Sequence, residues 1–302
     1  MSTKRFRSWI CIAAVLALTI SAATAAAEDA KKPERQMIGS IFAPIMLDPG
    51  SLNTQKAAIV SGPKKIDTVK YIGGRTRTPT TAKQWQVKLG SHQFKITIDD
   101  EAKNWTIKDA LSRVEQFPVV YRRALEIISE DERTGLTFYQ DLRGAHGGRD
   151  YINVEPGCGT RTLLHECGHT FDGKARLSIP KLPEQWQEAI DADNIGISGY
   201  GDRVVHEDMA EFAMVYAYCI DYAAGSGMTG LLRKLSPKRF ELWEKTLREC
   251  KAIPIQQCDA ECKATSEKQA EIQEKMQPRI KQVHDTVKEL EEKGKATWKA
   301  AS

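Results

Sequence analysis

Three observations predict an α+β fold: period-two apolar alternation between residues 85 and 98, helical periodicity on either side of short strand-like runs up to residue 154, and a chain that reads as helix from Phe212 onward. Trp85, Val87 and Leu89 alternate with polar residues, and Phe94, Ile96 and Ile98 do the same across Gly90-Ser91-His92. That is a hairpin pattern, with His92 exposed and idle at the turn. Thr106 to Gln116 and Pro118 to Ser129 read as helices, the second opening on a proline at an allowed first-turn position and carrying Tyr121, Leu125 and Ile128 as an apolar stripe. Leu136 to Gln140 and Tyr151 to Val154 read as strands, separated by the glycine-rich run Arg143 to Arg149, which reads equally as a mobile flap or an ordinary hairpin loop. Further on, Ser236-Pro237 starts a helix running to about Glu249. The tail then carries Ile272, Met276, Ile280, Val283, Val287 and Leu290 at helical steps among charged residues. Such a narrow stripe suits packing on its own domain or self-association, with Pro278 expected to kink or divide the helix and His284 solvated.

The ends of the chain read differently from its middle. Residues 1–27 have a basic start (Lys4, Arg5, Arg7), an apolar run from Trp9 to Ile20 and small residues at Ala23 to Ala27, the pattern of a signal peptide. The mature chain is therefore expected to be secreted or periplasmic, with no integral membrane span. Of 44 basic residues three fall in that segment and none of the 40 acidic ones do, which leaves the remainder at +1. A balance so near neutral gives no electrostatic case for nucleic acid. Residues 28–82 are mixed, with loop punctuation at Asp48-Pro49-Gly50 and Thr78-Pro79, and read as a linker, a small module or a propeptide. The domain that carries the chemistry is expected over 83–250, and 251–302 as a cysteine-containing loop with the amphipathic helix. Cys158, Cys167, Cys219, Cys250, Cys258 and Cys262 remain after the signal, and an even count in an exported chain favours disulfides. A second zinc site from Cys250, Cys258 and Cys262 is the weaker alternative in an oxidising compartment.

Within the middle, His165-Glu166-Cys167-Gly168-His169 carries the chemistry. On a helix the two histidines stand one turn apart on one face, where two imidazole nitrogens can close on a zinc ion. Glu166 is turned by roughly 100° to the edge of that site, where it can take a proton from water. Leu163, Leu164 and Phe171 make the other side apolar, so the helix should be buried; Cys167 points roughly 200° away from His165 and reads as a core thiol. Gly168 costs up to about 1 kcal/mol of helix propensity, which suggests close packing against it. A third ligand has one good source, the stretch Gly199 to Ala213. There Glu207 and Glu211 lie i, i+4 on an apolar helix continuing through Met214, Val215, Tyr218 and Ile220, with His206 and Asp208 as further donors. Two carboxylates on a buried face are costly unless a cation or donors meet them.

The segments HECGHTFD and YGDRVVHEDMAEF together resemble the zinc peptidases related to anthrax lethal factor and the Pro-Pro endopeptidases. The likeness lies in the histidine pair, Asp172 three residues past the second histidine, Tyr200 seven residues before Glu207, and Ala210-Glu211; it covers only about residues 135–225. The resemblance implies a zincin-like catalytic domain, in which a small mixed sheet and an active-site helix precede a helical C-terminal half. In that fold the last strand before the zinc helix, here Tyr151 to Val154, lies at the sheet edge by the cleft, open to an extended peptide. It also implies His165, His169 and Glu207 as zinc ligands, Glu166 as general base, and Tyr200 as the phenol that stabilises an oxyanion. Glu211 becomes an outer-shell companion of a ligand histidine, and Asp172 a second outer-shell residue or a plain helix-end residue. Glu211, His206 and Asp208 remain alternatives for the third ligand. The expected activity is that of an exported zinc-dependent peptidase acting on a peptide or protein substrate. The rival reading is a non-catalytic secreted binding protein on the same scaffold, and a third is an adhesion or structural module assembled through the tail helix.

Overall fold

A computed structural model describes residues 36–46, 55–72, 76–130, 135–252 and 266–293. Its centre is a six-stranded sheet of β1 (Ala58–Ile72), β2 (Thr76–Leu89), β3 (His92–Asp99), β4 (Leu136–Phe138), β5 (Ala145–Gly148) and β6 (Tyr151–Val154), in the order β1-β2-β3-β4-β6-β5. The expected hairpin is there: β2 pairs antiparallel with β3, Val87 opposite Phe94 and Trp85 opposite Ile96, and Gly90 turns the chain at φ +62°. β4 pairs parallel with β3 and with β6, and β5 closes the sheet antiparallel to β6. Parallel neighbours need a crossover, and α2 (Ile107–Val114) and α3 (Val119–Ile127) supply the one from β3 to β4. Thr106 caps α2 in a reciprocal box with Asp109. Period-two alternation then sorts the sheet. Val87, Leu89, Phe94, Ile96, Ile98, Leu136, Phe138, Ile152 and Val154 fall on one buried face. Gln84, Thr97, Thr137 and Asn153 form a buried polar row in register across the other, where Gln84 Nε2 donates to Thr97 Oγ1 at 3.1 Å.

Helices make up the rest: α4 (Thr160–Ala175), α5 (Leu182–Asp193), α6 (Val205–Ala217), α7 (Met228–Leu235), α8 (Pro237–Glu249) and α9 (Ser266–Glu292). The mixture is α+β, as the sequence predicts, and no described helix is long and apolar enough to cross a membrane.

Several expectations are corrected. The boundary drawn after residue 82 does not divide the fold, because β2 runs across it and a stretch well before it is part of the core. There α1 (Ile38–Phe42) and the turn Ala43–Ile45 place Ile38, Ile41, Phe42 and Ile45 in the core, while Ile38 N and Gly39 N donate to Gly196 O and Ile197 O at 2.8 and 2.7 Å. His92 is partly buried and faces Glu126, Nδ1 to Oε1 at 3.2 Å. The glycine-rich run is strand β5, so β5 and not β6 is the edge of the sheet. α9 continues through Pro278, and Met276, Ile280, Val283 and Val287 are buried against α1 and the turn that follows it. Those four residues of the stripe therefore pack on the chain itself, one of the two uses such a stripe suits. Cys158, Cys167, Cys219 and Cys250 are buried free thiols, so among the described residues the expected disulfides are absent. Cys258, Cys262 and the signal segment lie outside the described residues.

Candidate metal centre

α4 and α6 cross where Gly168 replaces a side chain. A Cβ there would lie 2.7 Å from Ala210 Cα and 2.9 Å from Ala213 Cβ, so only glycine permits this approach, and it is the close packing the sequence suggests. The crossing sets the two histidines of α4 against the two glutamates of α6. His165 Nδ1 lies 3.0 Å from Glu211 Oε1, and its Nε2 lies 3.2 Å from Glu207 Oε2. His169 Nε2 is 3.4 Å from the same Glu207 oxygen. His165, His169 and Glu207 are the group of described residues whose donor atoms lie within 4.8 Å of one another.

A neutral His165 does not satisfy this arrangement by hydrogen bonding. When His165 donates its Nδ1 proton to Glu211, its Nε2 keeps a lone pair aimed at a carboxylate oxygen, and acceptor faces acceptor. A cation resolves the conflict. Ligands held at about 2.05 Å in a tetrahedron stand about 3.3 Å from each other, and the two contacts to Glu207 Oε2 match that spacing. The same demand shows in the acid–base properties. Burial works against a charged His165, yet hydrogen bonds to Glu207 and Glu211 lift its pKa to about 9. Burial also raises the carboxyl of Glu207, but hydrogen bonds from His165 and His169 drive it far below the usual carboxylate range. Glu211 is lowered in the same way, against burial, by His165 and Ser198.

Glu166 is almost fully buried beside this group. Burial raises its pKa, opposed by His169 and His165 and, to a smaller extent, by the backbone N–H of Gly147 on β5, which lies against it. Tyr200 sits at the open side, half exposed, its ring 6.0 Å from that of His165; burial and the negative charge of Glu207 raise its phenol. The loop before α6 holds it there, with Gly201 N donating to Ser198 Oγ at 2.9 Å.

Other expected residues fall outside the group. Of the two roles expected for Asp172 the structure shows the helix-end one: Arg176, one turn on, takes both its oxygens, Nε to Oδ1 at 2.7 Å, and neither imidazole is among its hydrogen-bond partners in the described residues. It is a helix-end ion pair. Asp208 points the other way, accepting from Trp186 Nε1 at 2.8 Å and Arg239 Nη1 at 2.9 Å, which removes it as a ligand alternative. His206 is half exposed and lies 3.4 Å from Glu207 Oε1, the oxygen the histidine pair does not contact, with its ring 5.7 Å from that of His169. Two contributors escape sequence reasoning. Gly147 carries no side chain to read, and Arg239 reaches Asp208 across 31 positions. A buried carboxylate on the back of an apolar helix was the one available signal for Arg239.

No protein-family model matches this chain, and no curated protein matches it; the family resemblance rests on the motif residues themselves.

Proposed function

We propose that this chain is an exported zinc peptidase with a zincin-like catalytic domain, hydrolysing peptide bonds in a peptide or protein substrate. The observation that carries the reading is the convergence of His165, His169 and Glu207, with Glu207 Oε2 at 3.2 and 3.4 Å from the two imidazole Nε2 atoms, all three donor atoms within 4.8 Å of one another, and a buried carboxylate beside them. Two histidines and one carboxylate leave a fourth position free, which is the ligand count of catalytic and not structural zinc. When bound, zinc supplies a Lewis acid that lowers the pKa of a water to about 7 and polarises a carbonyl.

The chain's own residues do the remaining work. Glu211 holds the Nδ1 proton of His165 and so fixes the tautomer that offers Nε2 as a ligand. Glu166 accepts a proton from the attacking water and passes it to the leaving amine; its raised pKa suits both halves of that transfer. Tyr200, kept protonated by its raised pKa, donates to the oxyanion of the tetrahedral intermediate. Residues 1–27 serve as the signal peptide in this proposal, so the enzyme acts outside the cytoplasm.

A peptide-library digest by the purified mature chain, with and without a chelator, tests the reading. Chelator-sensitive cleavage is expected, along with one zinc per chain by elemental analysis. Tight zinc without cleavage of any peptide would favour a binding protein on the same scaffold, and absence of zinc after metal is offered would end the proposal. Glu166→Gln should keep the metal and lose hydrolysis, because the amide has no basic oxygen while the ligands are untouched.

A further inference from the structure

The glycine-rich strand β5 lies along α4 through three consecutive residues. Built on Gly147, a Cβ would stand 2.7 Å from Glu166 Oε2 and 2.9 Å from the Glu166 backbone oxygen. At the next position Gly148 O accepts from Thr170 Oγ1 at 3.0 Å. The backbone of Arg149 then presses on Gly173, where a Cβ would come within 2.8 Å of Arg149 Cβ. Glu166, Thr170 and Gly173 follow one another at steps of four and three, so they form a single stripe of the helix. Strand and helix are fitted to each other along that stripe, and its first member is the carboxylate beside the ligand group.

We propose that Gly147 is a positioning residue for Glu166: its N–H holds one carboxylate oxygen, and its missing side chain leaves the only space in which the carboxylate can lie. This inference rests on the peptidase reading for its catalytic consequence, but the contact itself does not. Ala145 and Gly147 alternate with His146 and Gly148, and the bond from Glu155 N to Gly144 O, at 3.0 Å, sets the phase of the β5–β6 ladder. In that phase Gly144, His146 and Gly148 bond to β6, and Gly147 turns its N–H to the outer edge, off the ladder, with the Glu166 carboxylate beside the residue. One oxygen is thereby fixed and the other stays free to face a water. A side chain at position 147 would press on the Glu166 carboxylate and on the backbone oxygen of the same residue, and neither imidazole is among its three nearest neighbours.

Two measurements on the full mature chain test it. Gly147→Ala should lower kcat by about 10²-fold, the cost of displacing a reacting group by about 1 Å, with KM and zinc content unchanged. In a Glu166→Gln background the same substitution should add no further loss, since it acts only through Glu166. Gly148→Ala, whose Cβ meets the ring of Tyr151 and not Glu166, should stay near wild-type activity. Independently of catalysis, Glu166→Ala should move the Gly147 amide proton upfield and speed its exchange in NMR of the zinc-loaded protein. An unmoved Gly147 amide would overturn the contact, even if Gly147→Ala fails to fold. Activity of Gly147→Ala within a few-fold of wild type, or an equal loss in both backgrounds, would overturn the positioning role. A wild-type chain that cleaves no peptide, with the amide shift present, would sink the peptidase reading and leave the contact standing.

Discussion

On the inner side of α6, Asp208 meets the guanidinium of Arg239 at 2.9 Å, and Arg239 also contacts Asp193 at 3.3 Å and donates to Ile195 O at 2.6 Å, all essentially out of solvent. On the outer side of the same helix, Glu207 and Glu211 face the imidazoles of His165, His169 and His206, with no arginine or lysine among their ion-pair partners in the described residues. The inner carboxylates have a partner that keeps its positive charge at every accessible pH and belongs to the chain. The outer ones face groups that are neutral above their pKa, so positive charge must come from an exchangeable source, a proton or a metal ion. Charge that is built in serves to hold the fold. Charge that is borrowed can change, and this is what a catalytic centre requires.

The contrast breaks most visibly at Arg239. Arg239→Met would leave Asp208 and Asp193 buried without their cation, and removing one partner of a buried pair costs about 3–5 kcal/mol. Urea unfolding should show that loss at neutral pH. A loss under about 1 kcal/mol would mean that Arg239 is not the stabilising charge on the inner side.

Metal exchange should be the next largest effect, and confined to the outer side. Zinc at about a hundredfold above its Kd should add about 2.7 kcal/mol to unfolding stability, and a chelator should remove it. Unfolding curves that coincide with and without zinc would show that the outer group does not borrow a metal ion. The ligand roles sharpen the same point. Glu207→Ala should weaken zinc binding more than Glu211→Ala, and the latter should cost the roughly 10–100-fold typical of a residue that only orients a ligand. Equal losses would place Glu211 on the metal.

How much of this was legible in the sequence follows the range of the interactions. His165, Glu166 and His169 are fixed by local helical periodicity, and Glu207 and Glu211 by the same rule one helix later. The hairpin of β2 and β3 is legible for the same reason, since its apolar alternation is local. The edge strand is not. Ala145-His146-Gly147-Gly148 has no strand-forming side chains, and it becomes β5 because α4 offers a stripe of close contacts that only glycines allow. The two readings of Asp172 stayed open because a spacing rule says where a carboxylate sits on a helix and not which cation takes it. The residues before position 82 looked like a linker because loop punctuation hides the four apolar side chains that α1 and its turn bury beneath α9.

The finest test compares the two cations the outer group can take. His165 is lifted to about 9 from an unfolded value of about 6.5, so in the metal-free protein this imidazole favours the fold fully below about pH 6.5 and loses that contribution as pH rises through 9. Zinc needs the Nε2 lone pair, so across the same window each ion bound must expel that proton. Apparent zinc affinity should therefore rise up to about tenfold per pH unit, worth about 1.4 kcal/mol, and flatten above pH 9 while metal-free stability moves the opposite way. Titration calorimetry at pH 7.5 in two buffers of different ionisation enthalpy should count close to one proton released per zinc from this histidine. Affinity independent of pH between 6.5 and 9 would show that no proton is displaced, and the distinction between built-in and borrowed charge on the two sides of α6 would fail at its outer half.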